Sequence, residues 1–203
     1  MASFTPFSTL LASTAIILLA SPAFAENAPA DESDALTEIT VTATKRETSL
    51  QETPISISVM SAETLKDRKV QSLLDLADGG VPSLRIATFE ARQSALTIGI
   101  RGIVPLDANQ PAREQGVGIY IDGVYLGRQH GLNAALFDIE RVEVLKGPQG
   151  TLFGRNTEGG ALSIVSRTPT GAFGGRVEGG VGNLDGRNAS IHLDLPKVAG
   201  FSV

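Results

Sequence analysis

The chain has no cysteine, no tryptophan and only two histidines, and aromatic residues make up 5% of its 203 positions. Without cysteine there is no disulfide scaffold, no thiolate metal site and no cysteine nucleophile. Two histidines, His130 and His192, rule against a histidine-rich metal centre, and neither lies near a recognisable nucleophile motif. No catalytic constellation, metal site or cofactor pattern is visible, so an enzyme is the weakest reading. The Gly147–Gly160 stretch is rich in glycine but contains no G-x-x-x-x-G-K-[ST] phosphate loop. The formal net charge is −5, so nothing in the charge suggests a nucleic-acid partner.

Long hydrophobic runs are also missing. The longest, Leu10 to Ala20, is interrupted by Ser13 and Thr14 and falls short of the ~20 apolar residues of a spanning helix. It is followed by Ser21-Pro22 and then Ala23-Phe24-Ala25. A short apolar run followed by small residues at −3 and −1 reads as a secretory signal, residues 1–25, cleaved after Ala25. The alternative is a buried N-terminal helix. An exported chain without a spanning helix is periplasmic, secreted, or part of an outer-membrane β-barrel.

Charge is unevenly placed. Five of the 22 acids (Glu26, Asp31, Glu32, Asp34, Glu38) precede Lys45, the first base; the other 17 acids equal the 17 bases. The acidic excess belongs to a tail, 26–53, which is expected to be disordered, above all in its first part, rich in Ala, Pro and acid. Within it, Glu38-Ile39-Thr40-Val41-Thr42 alternates apolar and polar residues and is β-prone. It could pair with another protein's sheet edge or form an edge strand of its own domain.

From Pro54 the pattern is mixed α/β. Ile55, Ile57 and Val59 alternate as a strand; Ser61 caps a helix; Ser72 caps a second through Leu73–Ala77, stopped at Asp78-Gly79-Gly80. Leu96–Arg101 is a strand ended by Gly102, and Val104–Gln115 reads as a long exposed loop. Gly118–Leu126 is a hairpin with Asp122-Gly123 at its turn. Leu132–Phe137 is expected to be a short helix and Ile139–Lys146 a strand, with Arg141 and Glu143 on one face and Val142 and Val144 on the other. Ala161–Ser166 is the last strand of this region. Beyond it, Gly175–Asn183 and Arg187–Leu195 alternate cleanly about an Asn183–Gly186 turn. They fit either membrane-barrel strands of ~9–11 residues or a soluble surface hairpin.

Gly116–Arg128 and Leu136–Thr157, which contains Arg-Val-Glu-Val-Leu-Lys-Gly-Pro, resemble the plug domain of TonB-dependent outer-membrane receptors. Pro82–Ile86 and Ile100–Gly102 fit the same plug, and Glu38–Glu47 resembles the TonB box at its usual place. The resemblance implies an α+β fold: a plug domain (54–170) with a small mixed β-sheet and short helices, followed by the first two antiparallel strands (171–203) of a roughly 22-stranded transmembrane β-barrel. Only 29 residues follow Gly174, so the barrel is otherwise missing and the chain is expected to be an N-terminal fragment.

The resemblance also implies a mechanism and a location. In the outer membrane, with the plug facing the periplasm, an extracellular small-molecule ligand binds, and the TonB box (Glu38, Ile39, Thr40, Val41, Thr42) is presented to TonB as an added strand. Ferric siderophores are the commonest ligand class; vitamin B12, haem and oligosaccharides stay open. A stand-alone periplasmic plug that binds TonB without transport is the alternative. Arg101 and Arg141, with Glu143, correspond to plug residues that pair with barrel carboxylates; the competing reading of Arg141 is a local pair with Glu143. Lys146 stands where the family usually has Arg. Gly102, Gly147, Gly150, Gly154, Gly159 and Gly160 are expected at turns that tolerate no Cβ.

Overall fold

The computed structural model describes residues 38–90, 92–105, 114–128, 130–133, 136–197, 200 and 202. The expected signal peptide, the acidic start of the tail and most of the Val104–Gln115 loop lie outside these residues.

The described residues form eleven strands, numbered in chain order, and three short helical pieces. They are β1 (Thr40–Val41), β2 (Thr48–Ser49), β3 (Ile57–Ser61), α1 (Ala62–Asp67), a 3-10 helix (Leu73–Asp78), β4 (Leu84–Phe89) and β5 (Arg92–Ile100). Then follow β6 (Val117–Ile121), β7 (Val124–Tyr125), β8 (Ile139–Lys146), α2 (Gly150–Phe153), β9 (Gly160–Ser166), β10 (Gly174–Val181) and β11 (Arg187–Asp194). A mixed five-stranded sheet in the order β3-β8-β9-β6-β7 is the frame. All its neighbours are antiparallel except β6 and β9.

Alternation decides what each face of that sheet does. Met60, Val142, Val144, Leu162, Ile164, Val117 and Ile119 point to one side and form the larger core. Leu65 of α1, Leu73 and Leu76 of the 3-10 helix, and Ile86, Leu96, Ile98 and Ile100 of the β4–β5 hairpin close over them. Leu145, Ala161 and Tyr120 point to the other side, where Phe153 of α2 and Val41 and Ala43 of the N-terminal segment cover them. β8 is buried on both faces.

The helix ends follow their capping residues. Ser61 Oγ accepts the Thr64 amide at 3.2 Å. The Asp75 carboxylate accepts the amides of Gln71 (2.9 Å) and Ser72 (2.8 Å), and Gly79 ends the 3-10 helix at φ 81°. Asp78 takes Arg68 Nη2 on both oxygens, at 2.5 and 2.6 Å, and also accepts the Gly80 amide at 2.9 Å. The Arg68 hydrogen bond, then that of Gly80, holds the Asp78 carboxyl below the usual aspartate range. A lowered carboxyl pKa contributes stability above the unfolded value and loses it as pH falls through the folded one. Asp78→Asn should therefore melt below the wild type at neutral pH, with the gap closing as pH drops below about 3.9. Melting curves at several pH values check this.

Two expectations give way. None of the described residues in Leu132–Phe137 is helical. Their polar groups bond to other elements instead: Leu136 N donates to Gln71 O at 2.8 Å, Asn133 Nδ2 to Gln93 O at 2.8 Å, and Leu74 N to Asn133 Oδ1 at 3.2 Å. Asn133 thereby ties β5 to the 3-10 helix. The second difference is the tail. From Glu38 it is not loose, because β1 pairs antiparallel with β2 and Val41 and Ala43 are fully buried.

Candidate coupling and gating site

The N-terminal segment lies on the sheet face that carries Glu143. Glu143 is fully buried, and a buried carboxylate needs partners. It finds them in two residues. Arg141 Nε donates at 2.7 Å, Thr42 N at 2.9 Å and Thr42 Oγ1 at 3.2 Å. Arg141 also pairs with Glu140. Arg141 therefore makes the local pair with Glu143 that competes with the barrel-carboxylate reading, and the same carboxylate grips the Thr42 of the expected TonB box. Glu38, Ile39 and Thr40 remain exposed.

Three residues after Thr42, Lys45 folds back. Its amide donates to Thr42 O at 2.8 Å. Its ammonium stands over the rings of Phe153 (4.2 Å) and Tyr120 (4.9 Å). Tyr120 packs edge-on to Phe153 and tilted against Tyr125, and its hydroxyl donates to Phe153 O at 2.5 Å. Burial, then the neighbouring Tyr125, pushes the Tyr120 phenol up. The cradle of Lys45, Tyr120, Tyr125 and Phe153 is absent from the site residues expected from sequence. Part of it is legible there, since Tyr120 and Tyr125 flank the Asp122-Gly123 turn and pair across it.

The other expected site residues lie apart. Arg101 is exposed in a left-handed turn (φ 53°), with its amide bonded to Ser83 O, and it makes no ion pair among the described residues. Its guanidinium passes over Gly147, where a Cβ would come within 3.0 Å of Arg101 Nη1. Gly102, Gly147 and Gly154 take positive φ, and Gly159 is closely packed. Gly160 is the most constrained: at φ +144° a Cβ would stand 2.1 Å from Leu145 O. Gly150 departs from the expectation. It begins α2 with open space where a Cβ would go and no positive φ.

At the other end, β10 and β11 pair over eight residues. Their burial is inverted relative to a soluble hairpin. Val177 is 75% exposed, Val181 90%, Ile191 62% and Leu193 64%, whereas the polar row faces the body. Asp138 Oδ1 lies 3.4 Å from both Arg167 Nε and His192 Nδ1 and 3.9 Å from Arg176 Nη2. Glu178 Oε1 is 3.0 Å from Lys66 Nζ and 3.2 Å from Arg176 Nε. His192 stacks flat on Phe137 at 4.7 Å. An apolar-out, polar-in hairpin suits lipid on one side and a filled lumen on the other.

Residues 49–161 match the family described as the TonB-dependent Receptor Plug Domain. The chain belongs to the TonB-dependent receptors. It is 33% identical over 181 residues to the pesticin receptor of Yersinia pestis, a match covering 89% of this chain and 25% of that relative. The ferrichrome outer membrane transporter/phage receptor of Escherichia coli K12 is 30% identical over 158 residues, covering 76% and 20%. Among solved structures, the ferric yersiniabactin uptake receptor FyuA of Yersinia pestis superposes with a TM-score of 0.62 at 33% identity, over 72% of this chain and 22% of that one. The pyoverdine receptor FpvA of Pseudomonas aeruginosa, at 22% identity and a TM-score of 0.64, shares the fold. The chain spans about a quarter of the length of the first curated relatives it matches. These relatives are transport receptors of the outer membrane, not enzymes. The chain's compartment is the outer membrane, with the plug facing the periplasm.

Proposed function

We propose that this chain is the coupling and gating part of a TonB-dependent receptor that imports a ferric siderophore. Glu38–Thr42 is the strand handed to TonB, and β10–β11 begins the barrel. One observation carries the reading. The 38–42 segment is held by a two-residue ladder and a side-chain clasp on the plug, outside the five-stranded sheet. It can leave without opening the plug's main hydrogen-bond ladder, as a segment offered for β-strand addition must.

The apolar outer row of β10–β11 supports the barrel assignment, and the relatives' short coverage supports reading this chain as the N-terminal piece of a longer receptor. The ligand class rests on the relatives that share about a third of this sequence, whose names carry ferrichrome and ferric yersiniabactin.

Growth of the host under iron limitation tests the ligand class. A strain lacking the receptor should fail to use at least one of a ferric hydroxamate, a ferric catecholate or a ferric phenolate chelate, while cobalamin uptake stays normal. Loss of cobalamin uptake with normal use of every ferric chelate would contradict it.

A further inference from the structure

A lone two-stranded hairpin is marginal in water, and β10–β11 exposes an apolar row besides. Its polar row is what seats it. One chain of charges of alternating sign runs between that row and the plug. Lys66 Nζ of α1 lies 3.0 Å from Glu178 Oε1, which lies 3.2 Å from Arg176 Nε. Arg176 Nη2 lies 3.9 Å from Asp138 Oδ1, and Asp138 Oδ1 lies 3.4 Å from Arg167 Nε. His192 adds a second link to Asp138 at 3.4 Å and stacks on Phe137. Thr170 Oγ1 donates to Asp194 Oδ2 at 3.3 Å. The plug side of this row comes from α1, from the residues before β8 and from those after β9. None of these contacts involves a residue beyond β11.

The strand edges add a constraint. Among the described strands β10 pairs with β11 alone, so one edge of β10 is open. An open edge cannot rest in lipid, where its amides and carbonyls find no partner. In a barrel that edge closes against the last strand. Until it does, the hairpin has to stay folded and out of the lipid.

We propose that the plug has a further function in assembly: Lys66, Asp138 and Arg167 form a template that holds β10–β11 in place and presents the open edge of β10 until the rest of the barrel closes on it. The proposal rests on reading β10–β11 as the first barrel strands. A template must bind the hairpin and still let it adjust. Asp138 Oδ1 and Arg176 Nε are buried and complete no hydrogen bond, so the centre of the row is held by charge rather than by directed bonds. Single ion pairs contribute little. Each link lost nevertheless lowers the fraction of chains with a seated hairpin, and the rate of barrel closure falls with that fraction.

The test follows the full-length receptor in cells by pulse–chase and measures how fast the heat-modifiable, folded barrel appears. Asp138→Asn removes the charge and keeps a residue that tolerates the left-handed backbone there (φ 51°). Arg176→Gln removes the partner charge on the hairpin. Each should slow folding about threefold. The double variant should be no slower than the slower single, because both act on one contact. Lys66→Glu sets two carboxylates face to face and should slow folding about tenfold.

A role confined to the finished receptor gives a different pattern: wild-type folding rates with a lowered melting temperature. That result overturns the proposal, and so do single effects that multiply in the double variant. Val177→Arg separates the two layers, because a charge on the outer row of a lipid-facing strand keeps folded receptor from accumulating. If Val177→Arg folds as wild type, β10–β11 is not a barrel hairpin and the template falls with it. If it fails to accumulate while the row variants fold at the wild-type rate, the template alone fails.

Discussion

A receptor lacking Glu38–Thr42 should bind its ferric chelate at the cell surface and import none of it. The larger plug core contains none of these five residues, so the plug sheet and whatever it presents outward persist. Val41, and with it the burial of Tyr120, Leu145 and Phe153, is lost from the smaller cluster. That loss costs about 2 kcal/mol of apolar burial, and Glu143 loses both Thr42 bonds while keeping Arg141; together these weaken the plug without exhausting the ~5–15 kcal/mol of a domain of ordinary stability. Import is different in kind, because the added strand has no segment to pair with. A gentler variant separates the two effects. Ile39 is 43% exposed, and Ile39→Pro leaves Val41 seated while removing a donor from the strand offered to TonB. Both variants should show wild-type binding of radiolabelled ferric chelate to whole cells, and uptake at the level of a strain without TonB. Unimpaired uptake by the deletion would remove the coupling role from this segment.

Gly160→Ala should be the most damaging single methyl group in the plug. A Cβ there would stand 2.1 Å from Leu145 O, at a φ of +144° that side chains avoid. The clash is with backbone inside the β8–β9 ladder, at the start of β9 where Gly160 pairs with Lys146. No rotamer relieves it. Moving β9 disturbs its parallel partner β6 as well. The expected cost is about 3 kcal/mol or more. At a urea dependence of ~1–3 kcal/mol per molar, the unfolding midpoint falls by about 1 M or more. Gly150→Ala is the matched control, since it meets nothing within 4 Å and should change stability by less than about 1 kcal/mol. Equal midpoints for the two variants would mean that the β8–β9 pairing is not as described.

Local patterns carried much of the fold. β8 spans the same residues that alternation marked, Ile139–Lys146, and the Asp122-Gly123 turn joins β6 to β7 as its turn residues required. The β10–β11 alternation also held, down to which row is apolar. What was not legible depends on partners far away in sequence. Arg141 and Glu143 looked like one polar face of a strand, yet that face is buried, because Thr42 reaches it from 101 residues upstream. Nothing near Thr42 announces that partner. The described residues of Leu132–Phe137 are not helical for the same reason: Leu136 N bonds to Gln71 O, and the Asn133 side chain to Gln93 and Leu74. Of the site, the β-prone box and the Arg–Glu pair were visible in sequence; the clasp that joins them, and the Lys45 cradle, were not.

No cysteine occurs in the box or the plug, so a cysteine introduced into the box meets no native thiol in the plug. Single cysteines introduced by Ile39→Cys, Thr40→Cys, Val41→Cys and Thr42→Cys can be tested in living cells for disulfide formation with a cysteine scanned along the strand of TonB that adds to the box. If Glu38–Thr42 is the coupling strand, cross-links form within it, alternate with position as a paired strand requires, and increase when the ferric chelate is supplied. Cross-linking that bypasses all four positions and falls on another segment would contradict the account.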